Sequence, residues 1–493
     1  MATGNVTYNI AGRKYYMITD PDDCLTISNA CLEKDLVYRF AKGCYGDGLV
    51  TASQSTWKKH RNLLNPQFNL NYLNGFLVIF NKQSRILVKK FALMAGRGPF
   101  DHDSIIRQNE IKTICATSLG VDFNEDKKTL HEYATAFDII FNCCTEIIKR
   151  FWLQIRCIWL RSSLKKQRDK YRIIMHNITD EIIKKRNDDR KNEVLNVNRE
   201  GKAFRPFLDI FFDLKETVGD EMMPDKTIRD HVNTLILAGH DTIATAVQFT
   251  LILIGSYPKV QERLYMELVD IFGDSIRDVE KDDLTRLRYL EAVLKESLRF
   301  YTIVPIVARD VTKDVDLKNY TLKAGGACLL MLHGVHRLPM WGEDVEEFKP
   351  ERWLNPATLP KNPNTFLTFS LGKRVCIGKS YAMMSMKTTL AHVLRTYRIK
   401  ADHTKLELKY EYHYADGCSD IASDTSIAVL ETSYCKKVAR TSKIVRPEFP
   451  LAGAIPQAGT VFLLASPWVT KPTKPLRHAK PLNQREGEPG PVK

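Results

Sequence analysis

Phe369-Ser370-Leu371-Gly372-Lys373-Arg374-Val375-Cys376-Ile377-Gly378 is the stretch on which the fold turns. One cysteine stands between two glycines, with an arginine two residues ahead of it. Glycine clears positions that a Cβ would block, so Gly372 and Gly378 predict a tight loop whose backbone approaches something flat and large. A thiol loses its proton near neutral pH only in an electropositive, turn-rich setting. Arg374 supplies a fixed cation there, which predicts a thiolate at Cys376. The plainer reading is an inert, buried cysteine in a glycine turn, and the rest of the chain has to decide between the two.

Four other segments bear on that decision. Glu296-Ser297-Leu298-Arg299 places an acid and a base three residues apart, on one face of a helix. Alone such a pair is weak. It gains weight beside Phe348-Lys349-Pro350-Glu351-Arg352-Trp353, whose arginine could complete a buried network with it. Ala238-Gly239-His240-Asp241-Thr242 interrupts a long apolar helix pattern. Glycine costs a helix roughly 0.5–1 kcal/mol relative to alanine, and the adjacent acid and alcohol have no use in a plain core helix. Trp57-Lys58-Lys59-His60-Arg61 sets an indole N–H and a guanidinium four residues apart, ready for a carboxylate.

The bulk numbers limit the class. The chain has 493 residues, a net charge of +15, and 44% hydrophobic residues, enough for a large core. Its 11 cysteines are odd in number, irregularly spaced and contain no C-x-x-C, which argues against a disulfide framework or a zinc module and suits a reducing compartment. The basic residues are dispersed, without a zinc-finger spacing or an RNA-binding aromatic signature. An acidic partner or an anionic membrane surface is therefore expected, and nucleic acid is not. Residues 1–12 are polar and short, so no signal peptide or anchor is expected in this chain. The longest apolar run, 235–257, carries His240, Asp241 and Gln248, which predicts a buried core helix and not a membrane span.

Along the chain, residues 8–27 read as short strands and a turn, with Pro21-Asp22 opening a helix. Helical patterns dominate residues 28–300, at 83–93, 130–149, 163–185, 225–257, 258–273 and 285–300. Pro258 suits a first turn. Residues 184–202, rich in lysine and asparagine, read as an exposed, mobile connection. Short strands follow at 306–311, 320–323 and 327–332, so the expected fold is mostly α with a small β region, not a βαβ alternation. Nine of the 21 prolines lie in the last 47 residues. That composition predicts one domain over 1–432 and a poorly folding tail over 433–493.

Together these segments resemble the cytochromes P-450, in the order that family has them and over about residues 14–412. The resemblance is to the microsomal type, the family-4 clan and its insect members above all. It implies the haem-thiolate fold, with haem b bound and Cys376 as the axial iron ligand in a loop that includes Phe369, Gly372, Arg374 and Gly378. It implies a Glu296–Arg299–Arg352 network beneath the haem, and Trp57, Arg61, Arg309 and Arg374 on the propionates. Gly239, Asp241 and Thr242 become the oxygen groove, with Thr242 steadying dioxygen and Asp241 relaying protons. The implied activity is monooxygenation of a lipophilic substrate (fatty acid, hydrocarbon or xenobiotic) with electrons from NADPH. The implied partners are a flavoprotein reductase docking near Lys58, Lys59, Lys373 and Lys379, and cytochrome b5. The implied place is the cytosolic face of the endoplasmic reticulum membrane. Four departures stand out: Trp57 comes early, without the family's anchor and proline hinge before it; Ala238 replaces the glutamate that esterifies haem in many family-4 enzymes, so haem is expected to be dissociable; Thr302 stands where proline is usual; and the closing hairpin fades after Tyr412. A haem-binding but catalytically defective member is the alternative reading.

Overall fold

The computed structural model describes residues 6–10, 13–123, 126–195, 204–405 and 429–431. The expected tail over 433–493 lies outside the described residues. Twelve α-helices of eight residues or more are found among the described residues: α1 (Pro21–Ala30), α2 (Tyr38–Tyr45), α3 (Gln54–Leu64), α4 (Leu77–Ala92), α5 (Asp103–Leu119), α6 (Lys127–Lys149), α7 (Ser163–Leu195), α8 (Phe207–Val218), α9 (Asp225–Ser256), α10 (Pro258–Phe272), α11 (Arg288–Phe300) and α12 (Lys379–Thr396). The strands are β1 (Val6–Ile10), β2 (Arg13–Ile18), β3 (Val307–Asp310), β4 (Val315–Asp316), β5 (Thr321–Leu322), β6 (Ala327–Leu330), β7 (Arg398–Lys400) and β8 (Val429–Glu431). The mostly α expectation holds.

Local chemistry sets the element ends. Asp20 caps α1, its carboxylate accepting from the N–H groups of Asp22 and Asp23 at 2.9 and 3.0 Å, with Pro21 in the first turn. The four-stranded sheet runs β1-β2-β6-β3, with β2 parallel to β6 and the other pairs antiparallel. In that register Arg309 lies opposite Cys328, and Lys34 bridges to Arg309 from outside the sheet. The short connection between α1 and α2 thus lands on the strand that carries Arg309.

The apolar run forms the centre of α9. Ile243 to Gly255 is buried without a break, and α9 packs on α5, α11 and α12. By length and composition α9 is the one helix among the described residues that could cross a membrane, yet 67% of its apolar window lies inside the protein. It is the core helix expected.

Some boundaries differ from the sequence reading. The span 184–195 is helical and completes α7. Two of its arginines pair with α8, Arg186 with Asp209 at 2.8 Å and Arg190 with Asp213 at 2.5 Å. The pattern over 285–300 breaks at Leu287, with a short helix at Lys281–Arg286 ahead of α11. Helix α5 escaped notice because it is buried almost all round from Asn109 to Leu119 and has no polar face. Past Tyr412, β8 pairs antiparallel with β7, so a strand pair does occur where the closing hairpin was expected to fade.

Candidate active site

Glu296 is the centre of a closed network. Its carboxylate accepts from Arg299 Nη2 and Nε at 2.8 and 2.9 Å, Arg352 Nε at 2.9 Å, the Lys349 N–H at 3.0 Å and Trp353 Nε1 at 2.9 Å. Arg299 spends its remaining donors on the carbonyls of His336, Val345 and Glu347, and Arg352 on those of Trp341 and Asp344 and on the Asp344 carboxylate. The three charged side chains are 0–2% exposed. Burial alone would raise the Glu296 pKa, but the arginines, Arg299 first, bring it below the usual carboxylate range. The three residues expected to form a network form one.

The cysteine loop follows. The Leu367 carbonyl accepts from the Ser370 N–H at 2.8 Å, and the Phe369 carbonyl from the Cys376 N–H at 2.9 Å. Gly372 has φ 67°, and a Cβ there would stand 2.7 Å from Cβ of Ser28. Its glycine is therefore demanded by α1 and by the left-handed backbone, a correction to the idea that a flat group alone requires it. At Gly378 a Cβ would only touch Cys376 Sγ, at 3.9 Å. Cys376 is exposed at the surface of its loop, where crowding by neighbouring atoms raises its thiol pKa and the Gly378 N–H, Arg61 and Lys379 work in the opposite direction. A metal ion bound at Sγ would displace the thiol proton.

Around this loop gather cations from three distant segments. The Arg374 guanidinium lies 4.5 Å over the Trp57 ring, and its Nη2 donates to the Ala52 carbonyl at 3.0 Å. Its Nε and Nη1 are buried without a partner, as is Nε of Arg309. Arg374 is pushed down to about 10, by burial first and by Arg309 next. Lys34 is driven well below its ordinary value by burial, then by Arg309 and Arg374. Arg61 is lowered by burial, and the Cys376 thiol offsets this in part. Its Nε donates to Asn65 Oδ1 at 2.6 Å. Lys34 escaped the sequence reading because no local motif surrounds it. Buried like charges with idle donors are costly without an anion. The donor set fits a group with two carboxylates.

On α9 the expected groove residues divide. Thr242 Oγ1 donates to the Ala238 carbonyl at 2.6 Å, back-bonding within the helix. Ala238 is exposed on a helix otherwise largely buried. Gly239 serves a different need: a Cβ there would come within 2.6 Å of Ile114 Cδ1, so glycine lets α9 and α5 close on each other. The Asp241 carboxylate is engaged by Arg107 of α5, whose Nε also reaches Asp103 at 2.8 Å. Burial opposes the charge on Arg107, yet Asp241 and Asp103 raise its pKa overall. Asp138 of α6 faces the same group, its carboxyl pushed up to about 6 by burial. Neither Arg107 nor Asp138 was legible, since both approach from helices far from α9 in sequence.

The cytochrome P450 family model matches residues 26–415. Human cytochrome P450 4V2 is 32% identical over 395 residues, covering 79% of this chain and 75% of that protein. Cytochrome P450 4d2 of Drosophila melanogaster is 31% identical, covering 77% and 78%. Cytochrome P450 4c21 of Blattella germanica is 29% identical, covering 82% of each. A crystal structure of a cytochrome P450 (CYP102L1), 22% identical, superposes with a TM-score of 0.70 over 87% of this chain and 92% of that one, which shows the fold. The chain belongs to the cytochrome P450 family of haem-thiolate monooxygenases. Members bind haem b through a cysteine thiolate on the iron, and the unpartnered cations beside Cys376 suit the two propionates of that group.

Proposed function

We propose that this chain oxygenates a lipophilic substrate, with electrons passed from NADPH by a flavoprotein reductase and with cytochrome b5 as a further donor. The observation that carries this reading is the pair of buried arginines with unpartnered donors, Arg309 and Arg374, with half-buried Lys34 nearby, beside a cysteine loop anchored near the Glu296 network. Cys376 would ligate the iron, Phe369, Gly372 and Gly378 would shape its loop, and Trp57, Arg61, Arg309, Arg374 and Lys34 would hold the propionates. Bound haem supplies dioxygen activation and the insertion of one oxygen atom, chemistry that belongs to the cofactor.

The chain's own residues would position and protonate. Thr242 Oγ1 keeps acceptor capacity after donating to Ala238, so it would accept from a water and hold it in place for proton delivery. Asp241, one residue earlier and tied to Arg107, would relay protons toward that hydroxyl. Ala238 offers no carboxyl for an ester, so acid–solvent extraction should strip the haem completely.

A membrane surface is the favoured setting. Between α6 and α7, Trp152, Ile155, Ile158 and Leu160 are 39–52% exposed, with exposed Arg156 and Arg161 among them. Apolar side chains rimmed by arginine suit an anionic lipid interface, in keeping with the cytosolic face of the endoplasmic reticulum. Ile155→Ser with Leu160→Ser should lower co-flotation with anionic vesicles severalfold; undiminished flotation would remove this segment from the interface.

The reduced carbon monoxide spectrum of the expressed chain tests the core of the proposal. A thiolate-type spectrum is expected in the wild type and its loss in Cys376→Ser. Its absence from the wild type would overturn the proposal. Haem binding without NADPH- and reductase-dependent product would leave only a haem-binding protein.

A further inference from the structure

Thr302 lies two residues past the end of α11 and is buried, 3% exposed. Its Oγ1 lies 2.7 Å from Nδ1 of His336 and 3.3 Å from the Arg299 carbonyl oxygen. The other ring nitrogen of His336, Nε2, lies 2.8 Å from the Leu367 backbone N–H. A backbone N–H can only donate, so Nε2 is the lone-pair nitrogen and Nδ1 carries the hydrogen. Nδ1–H then donates to Thr302, and the Thr302 hydroxyl donates on to Arg299. Leu367 thereby fixes the direction of the whole chain. Burial drives the His336 pKa well below its ordinary value, and the nearby His333, Arg299 and Arg337 push the same way, which favours this neutral tautomer.

His336 is tied to the Glu296 network as well, since its carbonyl accepts from Arg299 Nη1 at 3.1 Å. Its ring stacks on Phe366 with centroids 5.6 Å apart. At the other end, Leu367 closes a turn with Ser370, whose φ of 59° is the only positive value of a non-glycine among the described residues. Strained backbone of this kind persists where its neighbours over-determine it. The turn leads to the Phe369–Cys376 backbone bond.

We propose that Thr302 and His336 are positioning residues for the Cys376 loop: a directional relay from the Leu367 N–H through His336 and Thr302 to Arg299 holds the start of the loop and, through it, the iron ligand. The proposal rests on Cys376 being that ligand. A proline at position 302 cannot take part in such a relay, having no hydroxyl.

The test compares wild-type holoprotein with Thr302→Val, which keeps the volume but not the hydroxyl, and with Thr302→Ser, which keeps the hydroxyl. Removing the acceptor leaves a buried donor unpaired, so hydrogen exchange in peptides spanning 366–376 should run about tenfold faster in Thr302→Val. The fraction of the carbon monoxide complex with thiolate character should fall in the same variant. Thr302→Ser should match the wild type in both readouts. If Thr302→Val does not fold, Thr302→Pro takes its place, with the same loosening expected at an unchanged far-UV unfolding midpoint. Unchanged exchange and spectrum on loss of the hydroxyl would overturn the relay, as would a serine variant no better than valine. A wild type without any thiolate-type spectrum would instead overturn the haem-thiolate reading, and the exchange comparison would still report on the relay.

Discussion

The Glu296 network and the cluster of buried Arg309 and Arg374 with half-buried Lys34 are both groups of charge drawn in from solvent, and they are built to opposite rules. Around Glu296 every charge has its counter-charge and nearly every donor its acceptor, from two arginines, an indole and a backbone N–H. In the second cluster cations face cations, and three guanidinium nitrogens have no partner. A closed network has no need of a ligand and serves as a foundation. An open one is destabilising until an anion arrives, which is what makes it a binding site.

Removing one partner should therefore have contrasting results. Arg352→Leu leaves Glu296 and Asp344 short of a counter-charge and should cost about 3–5 kcal/mol, read as a large drop in the urea midpoint and a loss of haem-loaded protein. An unchanged midpoint would erase the distinction. Arg309→Leu should do the reverse in the haem-free chain, raising its midpoint by relieving repulsion. In the loaded protein it should quicken haem transfer to a scavenging globin about tenfold, by loss of a charge-assisted contact. A lower haem-free midpoint would mean that Arg309 belongs with the foundation instead. Lys58 and Lys59, exposed on α3, are a third kind of cation, already solvated. Reversing both to Glu should leave stability and haem content within experimental error, raise the KM for reductase severalfold and weaken its salt dependence. Unchanged reductase titrations would remove that docking surface.

What could be read in advance follows from range. Glu296 and Arg299, Trp57 and Arg61, and Asp241 beside Thr242 are neighbours in sequence, so helical geometry alone places them together. Arg352 joined them through a motif, and the network formed as expected. Lys34, Arg107, Asp138 and His336 reach the site from separate elements, and no spacing announces them. The same holds for elements: α9 declared itself by its apolar length, whereas α5, buried on nearly every side, shows no amphipathic stripe. The far end of α7 looked like an exposed connection because its charges are plentiful, yet Arg186 and Arg190 find partners on α8 that hold it as helix.

By itself the sequence determined the family, the mostly α class, the candidate iron ligand and the members of the foundation, because each is written in residues a few positions apart. Only the tertiary structure decided which cations stand together without a partner, that Gly372 answers to α1 and Gly239 to α5, and that Thr302 connects to the loop through His336. Those facts depend on contacts between residues tens to hundreds of positions apart, where charge and hydrogen-bond direction act through space and leave no periodic trace in the chain.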